Sequence, residues 1–261
     1  MTEERRPKKR FRLLVLFSLL SNIQPIWADS ERVSLGSGFD LSSGKYGGTT
    51  ATDMTYSPVT GKYETRDWLY KLTVPYIQIT GPGNTLPNIG QTVYASNAVR
   101  TDAGLGDVVA STTYTLANSA RDEIAVDLTG KIKFGTADKS KGLGTGANDY
   151  AAETTAYKMI GRYDAFGTIG YKVFGQSLGY TLNNTFYGSI GAAYKFDDKT
   201  SFGTVYDYRN QTSMLVDPMK IWTVFVNRKI NRNWKGQTYL FKGFGNFSPD
   251  IGGGAMLTRV F

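Results

Sequence analysis

Apolar and polar side chains alternate with a period of two along most of the chain beyond residue 30. The clearest segment is 123–134, where one set is Ile124, Val126, Leu128, Gly130, Ile132 and Phe134 and the other is Ala125, Asp127, Thr129, Lys131 and Lys133. This spacing indicates a β-strand with one apolar face, because on a helix the same positions would be scattered around the axis. Segments 186–196 and 201–209 repeat the pattern.

The alternation predicts about twelve strands. Their predicted starts are Val33, Thr52, Trp68, Asp107, Glu123, Tyr150, Ala165, Thr185, Ser201, Ile221, Lys235 and Gly252. No helical period follows residue 28, and no change in composition divides the series. Residues 29–261 are therefore predicted to form one β domain.

The connections between these segments alternate between short and long. The short ones are polar turns at Glu64–Arg66, Asn118–Arg121, Gly161–Asp164, Asp197–Lys199 and Asn231–Asn233, and the longest of the others are Thr80–Leu105, Ala137–Asn148 and Asn210–Lys220. A transmembrane barrel sorts its connections in this way, with short periplasmic turns and long extracellular loops. The sequence therefore predicts an all-β fold, a single antiparallel up-and-down transmembrane β-barrel of about twelve strands. A soluble β-sandwich is the alternative, and it gives no reason for the sorting.

Residues 1–28 have the order of a cleavable signal peptide. Six basic residues precede the apolar run Leu13–Leu20, and Ala28 supplies the small residue of a cleavage site. The run is too short to cross a membrane as a helix, which takes about 20 residues. We therefore predict export through the inner membrane and a place in the outer membrane of a Gram-negative bacterium. The alternative is a basic cytoplasmic tail in front of a core helix.

The positive charge of the chain belongs mostly to that segment. The whole sequence has 30 Lys+Arg against 22 Asp+Glu, which gives a net charge of +8. Removing residues 1–28 takes away six positive and two negative charges and leaves +4. A nucleic-acid partner, for which a basic surface would be the main support, is therefore not predicted.

The sequence contains no Cys and no His. Their absence excludes a disulfide framework, a zinc finger, a haem-ligating His, a Cys nucleophile and a Ser-His-Asp triad. It also removes the usual proton shuttle near neutral pH. We therefore predict no enzymatic activity and no cofactor. No metal site is predicted either, because nothing matches an EF-hand; calcium binding by loop carboxylates such as Asp138, Asp149 and Asp217 is the alternative.

Outward-facing aromatic and basic residues near the predicted strand ends are expected to mark the membrane interface. They are Trp68, Tyr70, Lys158, Trp222, Arg228 and Arg259. Trp and Tyr are enriched at the two membrane–water boundaries. The three cations lie near periplasmic strand ends, where a cation costs about 0–1 kcal/mol, compared with about 2–4 kcal/mol at the midplane. Outer-membrane lipid is accordingly a predicted partner.

Pro75 interrupts the third predicted strand. A closed barrel has no free edge, so a Pro inside a strand leaves a carbonyl without its donor unless a bulge absorbs it. We expect a bulge or a strand end at Val74–Tyr76.

Several short motifs occur in order along the chain. They are Gly104-Leu-Gly-Asp107, Gly142-Leu-Gly-Thr-Gly-Ala-Asn-Asp-Tyr150, Leu182-Asn-Asn-Thr-Phe-Tyr-Gly188 and Tyr206-Asp-Tyr-Arg209. In their order and spacing the chain resembles, from about Leu35 to its C-terminus, the outer-membrane transporter family named for the meta-pathway of phenol degradation. The resemblance implies an outer-membrane barrel that passes small molecules, aromatic compounds among them.

The final residue, Phe261, resembles the terminal aromatic residue by which the barrel assembly machinery recognises outer-membrane barrels. That machinery is therefore a second implied partner, and Phe261 its assembly signal. The family more often has another aromatic residue two positions earlier, where this chain has Arg259.

The inward faces carry the residues that would set the selectivity of a pore. Those predicted to line it are Lys62, Lys71, Asp127, Lys131, Lys133, Glu153, Lys172, Asp207 and Arg209. Cations exceed carboxylates on the inward faces, which favours a mild preference for anions. The alternative is that these charges pair in salt bridges that fill a narrow lumen, and neighbouring strands are expected to bring Lys131 and Lys133 close to Glu153.

Two loops bear on whether the lumen is open. The loop Thr80–Leu105 is long enough to fold inward, where Leu86, Ile89 and Val93 would form an apolar entrance. The alternative is a loop that only faces solvent. The Gly-rich run Gly142–Gly146 is not followed by the Gly-Lys-Ser/Thr of a phosphate loop, and it is predicted to be a flexible extracellular loop.

The sequence therefore predicts a passive outer-membrane channel or transporter for a small-molecule substrate, with hydrophobic or aromatic catabolic compounds as the class that the resemblance implies. Two alternatives stay open: a non-conducting structural or adhesive barrel, and a lipid-modifying outer-membrane enzyme. Barrel enzymes of that kind use a His as base, so the absence of His counts against the enzyme.

Overall fold

The computed structural model describes residues 31–261 apart from 84, 87–88, 92–97, 120–123, 178–181 and 214–215. The predicted signal peptide, residues 1–28, lies outside the described residues, and so do Val93 and part of the predicted turn Asn118–Arg121. These features stay predictions.

Strands make up most of the described chain. They are β1 (Arg32–Gly44), β2 (Thr52–Glu64), β3 (Trp68–Pro82), β4 (Thr85–Leu86), β5 (Gly90–Gln91), β6 (Val99–Leu105), β7 (Val109–Ser119), β8 (Ile124–Lys133), β9 (Asp149–Ile160), β10 (Tyr163–Val173), β11 (Thr185–Lys195), β12 (Thr200–Arg209), β13 (Met219–Lys229), β14 (Trp234–Phe244) and β15 (Ile251–Val260). A turn of 3-10 helix covers Lys139–Lys141. No helix in the described residues has the length and apolar composition that a membrane-crossing helix requires.

Antiparallel pairing carries the sheet around into a closed barrel. From β7 to β15 each strand pairs with its neighbours in sequence, β15 pairs with β1, and β1 and β2 lead on to β3. β3 completes the circle by pairing with β7 from Trp68 to Thr73 and with β6 from Tyr76 to Pro82. Because β6 and β7 together fill one place in the wall, the described barrel has twelve strand positions. The predicted fold is confirmed.

Short turns lie at one end of the barrel and longer connections at the other. The described short turns are 65–67, 161–162, 196–199 and 230–233, and the longer connections are the described parts of 45–51, 83–98, 134–148, 174–184, 210–218 and 245–250. Residues 120–123, between β7 and β8, lie outside the described residues. We call these ends the short-turn end and the long-loop end. The predicted sorting is confirmed, but the predicted loop Thr80–Leu105 is too long, since β3 runs to Pro82 and β6 begins at Val99. Polar residues at 100–102 break the apolar alternation there and hide β6 from the pattern.

Pro75 of β3 faces Pro58 of β2. Neither has an N–H, so the pair occupies a place where the β2–β3 ladder forms no hydrogen bond, and that ladder runs through both residues. The missing N–H groups affect the opposite edge of each strand. On that edge of β3 the ladder with β7 stops at Thr73, and on that edge of β2 the ladder with β1 skips Pro58. The Gly106 N–H donates to the Pro75 carbonyl at 2.9 Å. The interruption expected at Val74–Tyr76 is found in the neighbouring wall position, while β3 itself continues.

The alternation divides side chains between the outer surface and the lumen as predicted. Leu128, Ile190 and Trp222 point outward and are 41%, 67% and 51% exposed. Inside, Val205 and Phe225 are 0% and 2% exposed. The interior of the short-turn half is therefore packed, and its apolar cluster consists of Ala125, Tyr157, Phe166, Ala193, Val205, Phe225 and Tyr239.

Aromatic rings along the lumen, in both halves of the barrel, lie over glycines of the neighbouring strand. The pairs are Phe166 with Gly191, Tyr187 with Gly170, Phe225 with Gly203, Phe241 with Gly252 and Tyr239 with Gly254. At Gly170 an added Cβ would lie 2.6 Å from the hydroxyl oxygen of Tyr187, well inside van der Waals contact. The glycines therefore let large rings lie flat against the wall, an arrangement known from aromatic rescue of glycine in sheets.

Replacing Val205 with Ala is expected to lower the free energy of unfolding by roughly 1–2 kcal/mol, because each buried CH₂ contributes about 0.8 kcal/mol and a packed site closes incompletely around a gap. Urea unfolding of the barrel in lipid vesicles measures the change. The matched control is Val226→Ala, which removes the same atoms from an outer-face residue that is 41% exposed, and its expected effect is smaller. Equal losses for the two variants would contradict a packed lumen.

Candidate functional site

The predicted pore-lining residues all lie on the inner faces of their strands. Those that line one common cavity are Lys71, Lys131, Lys133, Lys172, Asp207 and Arg209. Glu153 also points inward but does not itself line the cavity; it contacts Lys131, which does. Lys62 pairs in register with Lys71, and Asp127 is buried nearer the short-turn end.

The cavity occupies the long-loop half of the lumen and has a volume of about 260 Å³. β8, β10 and β12 supply most of its charged wall. β3, β13 and two long loops supply its apolar wall, which consists of Pro75, Ile77, Ile89, Leu143 and Met219. Hydroxyl groups complete the lining, from Ser111, Thr168, Tyr187 and Ser189.

Ion pairs link the charged residues across neighbouring strands. Lys133 Nζ lies 2.7 Å from Asp107 Oδ2 and 3.2 Å from Asp149 Oδ2. Lys172 Nζ lies 3.0 Å from the same oxygen of Asp149. One carboxylate therefore contacts two ammonium groups, and the chain of pairs spans the wall from Asp107, just before β7, to β10.

A second ion pair lies on the same wall, closer to the short-turn end. Lys131 Nζ lies 2.7 Å from Glu153 Oε2, as predicted, and the Tyr187 hydroxyl donates to that oxygen at 2.8 Å. The expected approach of Lys133 to Glu153 is wrong, because the β8–β9 register places Lys133 opposite Asp149. Asp149 was missed because its strand was predicted to start one residue later, although the alternation counted back from Glu153 points to it.

The loop 134–148 folds into the barrel. Leu143 and Thr145 are each 1% exposed. Gly142 and Gly146 both have a φ of +70°, a left-handed conformation that glycine adopts without strain and that turns the loop back on itself. The middle of the loop is therefore buried while Asp138, Ser140 and Lys141 stay exposed, so the Gly-rich run packs into the barrel instead of only facing solvent. Its flexibility and its extracellular position stay predictions.

Asp107 holds this loop in place. Its Oδ1 accepts a hydrogen bond from the Ala137 N–H at 3.0 Å. A Cβ added at Gly144 would lie 2.9 Å from the same oxygen, so the loop backbone passes directly over the carboxylate. The motifs Gly104–Asp107 and Gly142–Tyr150, far apart in sequence, thus meet at one wall of the cavity.

The 3-10 helix of this loop is capped at both ends. The Asp138 carboxylate accepts hydrogen bonds from the Ser140 hydroxyl at 2.6 Å and from the Ser140 N–H at 2.9 Å. These bonds, the hydroxyl bond above all, lower the pKa of Asp138. Gly142 closes the other end, where its N–H donates to the Lys139 carbonyl. The loop therefore has a defined conformation of its own.

The described part of the connection 83–98 also folds inward. Leu86 and Ile89 are 2% and 8% exposed and pack against Phe174 and Leu182 from the connection 174–184. Ile89 reaches the cavity wall. This agrees with the inward alternative, and it places an apolar cluster at the long-loop side of the cavity.

The predicted interface residues all point outward. Trp68 and Tyr70 stack at a centroid distance of 6.0 Å, and Trp68 meets Tyr114 at 4.8 Å, which forms an aromatic patch at the short-turn end. Trp222 lies near the long-loop end and is 51% exposed. Lys158 is exposed on the outer face of β9.

The two arginines of the interface set have partners of their own. The Arg259 guanidinium lies 4.8 Å from the ring centroid of Phe261. Arg228 Nη1 lies 3.7 Å from Asp197 Oδ2 in the turn 196–199. Hydrogen bonds from the backbone N–H groups of Lys199 and Thr200, together with Arg228, lower the pKa of Asp197. Both arginines are thereby held at the short-turn rim.

Among the described residues, no three carboxylates come together in the way that a metal ion would require. The chemistry of the site is therefore that of a charged and partly apolar cavity: it can hold or repel a passing molecule by charge, shape and desolvation.

Comparison with known proteins agrees with this architecture. The sequence pattern of the family described as “Putative MetA-pathway of phenol degradation” matches residues 29–217. No curated protein matches the sequence significantly. The KdgM porin has a similar structure, with a TM-score of 0.57, 8% identity, and coverage of 87% of this chain and 99% of that chain. Its complex with disordered oligogalacturonate gives a TM-score of 0.56 at the same identity and coverage.

A monoaromatic hydrocarbon channel, CymD, is more distant, with a TM-score of 0.45, 10% identity, and coverage of 89% of this chain and 88% of that chain. At that score the likeness supports no conclusion. The KdgM likeness establishes the fold alone, a closed antiparallel β-barrel. What the lumen of this chain can bind has to be argued from its own residues.

Replacing Asp107 with Ala is expected to loosen the loop 134–148, because it removes a charge-assisted hydrogen bond of about 1.5–3 kcal/mol and leaves the Ala137 N–H without its acceptor. Cleavage by trypsin after Lys139 and Lys141, followed by mass spectrometry, is expected to accelerate about tenfold or more. Asp102→Ala is the control, since Asp102 pairs with Arg100 at 2.6 Å outside the loop. Equal cleavage of both variants would mean that Asp107 does not anchor the loop.

Proposed function

This chain belongs to the phenol-degradation family whose pattern matches residues 29–217, and from that membership and the lumen described above we propose that it is a passive outer-membrane channel for small molecules. Hydrophobic or aromatic catabolic compounds are the proposed cargo. The observation that carries the proposal is a closed barrel with an apolar outer surface and a charged cavity in its interior.

The outer surface suits a lipid bilayer. Long, apolar and exposed side chains cover it, and aromatic groups gather near both ends. We propose that Trp68, Tyr70 and Trp222 lie at the two membrane boundaries and that Lys158, Arg228 and Arg259 reach lipid phosphates from the short-turn end. Export by the signal peptide, residues 1–28, belongs to the same proposal.

The interior suits selective passage and does not suit bulk diffusion. Below the cavity the inward side chains pack closely, and the Tyr239 hydroxyl donates to Asp40 Oδ2 at 2.7 Å across the β14–β15–β1 wall. A molecule that leaves the cavity toward the short-turn end must displace side chains such as Phe225. We therefore expect a narrow channel whose conductance is limited by ring movement.

The packed interior also favours a second candidate, a non-conducting structural barrel. An inward face with Val205 at 0% and Phe225 at 2% exposure would serve a purely structural role equally well. A lipid-modifying enzyme has no comparable support from the described residues, and the sequence has no His to serve as its base.

The barrel, purified and inserted into planar lipid bilayers, is expected to show a small ohmic conductance with a mild preference for chloride over potassium. Phe225→Ala is expected to raise that conductance several-fold, because it removes a ring from the packed part of the lumen. The control is Phe202→Ala, which removes a ring from the outer face of the neighbouring strand and is expected to leave conductance unchanged.

The non-conducting candidate gives a different result in the same experiment. It predicts no conductance for the unaltered chain or for Phe225→Ala, and no uptake defect when the gene is deleted. That combination would overturn the channel proposal.

Replacing Phe261 with Ser is expected to reduce the amount of folded barrel in the outer membrane several-fold while leaving refolding in detergent unchanged, because we propose that assembly machinery reads this side chain. Quantification of heat-modifiable protein in outer-membrane fractions measures the effect. Phe196→Ser is a matched control, since Phe196 and Phe261 are 61% and 62% exposed and both lie at the short-turn end. Equal loss for both variants would mean that Phe261 acts only as a lipid-facing ring and not as an assembly signal.

A further inference from the structure

The cavity wall keeps an excess of positive charge after its ion pairs are counted. Its cations are Lys71, Lys131, Lys133, Lys172 and Arg209, and its carboxylates are Asp107, Asp149 and Asp207. Glu153, which contacts Lys131 from behind, brings the carboxylates to four, so the local balance is still positive. A cavity with low-dielectric walls concentrates such a field, and this one attracts anions.

The ammonium groups are held in position before any ligand arrives. Asp149 lies between Lys133 and Lys172 at 3.2 and 3.0 Å, and Asp107 holds Lys133 from its other side at 2.7 Å. The Lys172 ammonium also lies 4.3 Å from the ring centroid of Phe174, which fixes its position further. Donors that are already ordered bind an anion with little further loss of side-chain entropy.

Arg209 lies close to Lys172 along the wall. Lys172 pairs in register with Thr185 of β11, and Tyr187 of the same strand pairs with Arg209 of β12. Two steps of about 4.8 Å separate the strands, so both long side chains can reach one carboxylate in the cavity. The Tyr187 side chain leans from β11 across Gly170 of β10, and its hydroxyl is held by Glu153 of β9.

The other part of the cavity is lined by uncharged side chains. Ile77, Ile89 and Leu143 form an apolar wall, and Met219 pairs in register with Arg209 at its border. Methionine sulfur and aliphatic side chains make favourable contacts with aromatic rings. A ligand that satisfies the whole cavity therefore needs an apolar body and an anionic group.

We propose that this cavity is a binding site for small monocarboxylates with an apolar ring, which are held by their carboxylate at Lys172 and Arg209 and by their ring against Ile77, Ile89 and Leu143. The inference rests on the proposed function, since the lumen is the route by which the ligand arrives. The volume of about 260 Å³ limits the ligand to a single ring with a short substituent, below the range of about 300–1,000 Å³ typical of drug-sized ligands.

The charges also select against other ligands. A cation would meet a net positive wall. A dianion would bring its second charge close to Asp107, Asp149 or Asp207 on the same wall. A neutral ring compound fits the apolar part but leaves the ammonium groups with only their protein partners, so it binds more weakly than a carboxylate.

Isothermal titration of benzoate into the barrel, purified from membranes in detergent, tests the proposal. Benzoate is expected to bind at one site per chain, benzyl alcohol at least about tenfold more weakly, and benzylammonium not at all. Lys172→Met is expected to weaken benzoate binding about tenfold, and Lys172→Arg, which keeps the charge, is expected to restore most of it.

The matched control is Lys195→Met. Lys195 is also an inward lysine paired with an aspartate at 3.0 Å, here Asp164, but it lies in the short-turn half away from the cavity. Its replacement is expected to leave benzoate affinity unchanged. Equal affinity for benzoate and benzyl alcohol, or equal losses for the two lysine variants, would overturn the site.

The outcome is independent of conduction. Benzoate binding that depends on Lys172, together with no ion conductance, would keep the site and overturn the channel. Conductance without benzoate binding would keep the channel and overturn the site. If Lys172→Met fails to fold, Arg209→Met on the neighbouring part of the wall gives the same comparison.

Discussion

A barrel wall in a membrane must satisfy its own backbone hydrogen bonds, because hydrocarbon offers no partner for an N–H or a C=O. The closing pair β1–β15 meets this requirement, with a register that runs without a break from Ser34 and Val260 to Ser43 and Ile251. Most other features follow from it. The period-two pattern exists because the wall separates two environments, and β6 and β7 share one wall position because the wall leaves no room for an extra strand.

Closure also decides what the lumen contains. A ring of twelve strand positions encloses a fixed interior, and the side chains that point inward have to fill it or line an opening. In the short-turn half they fill it, with rings laid over glycines of the next strand, such as Phe166 over Gly191. In the other half, charged residues take their place, and the ion pairs of Lys133 and Lys131 make burial of so many charges acceptable.

Much of this could be predicted from the sequence, because strand alternation is a local property. Which face of the wall Lys131, Arg209 and Trp222 lie on follows from the period-two alternation. The same alternation locates the approximate start of most strands. The inward fold of the loop 134–148 does not, since it depends on a contact at the end of the β7–β8 pair, between Gly144 and Asp107, which the alternation along a single strand does not reveal. The Lys133–Asp149 pair was missed for a similar reason: it depends on the β8–β9 register, which no single strand encodes.

The two facing prolines have a mechanical consequence. At the height of Pro58 and Pro75, two of the three ladders that join β1, β2, β3 and the β6–β7 position have fewer hydrogen bonds than above or below, since the ladders of β1–β2 and of β3 with β6 and β7 both lapse there. A sheet bends most easily along such a line, where curvature strains fewer hydrogen bonds. The barrel therefore has a compliant seam between β1 and the β6–β7 position, next to its ion-paired strands β8–β10, and thermal breathing of the lumen is expected to be uneven around the barrel.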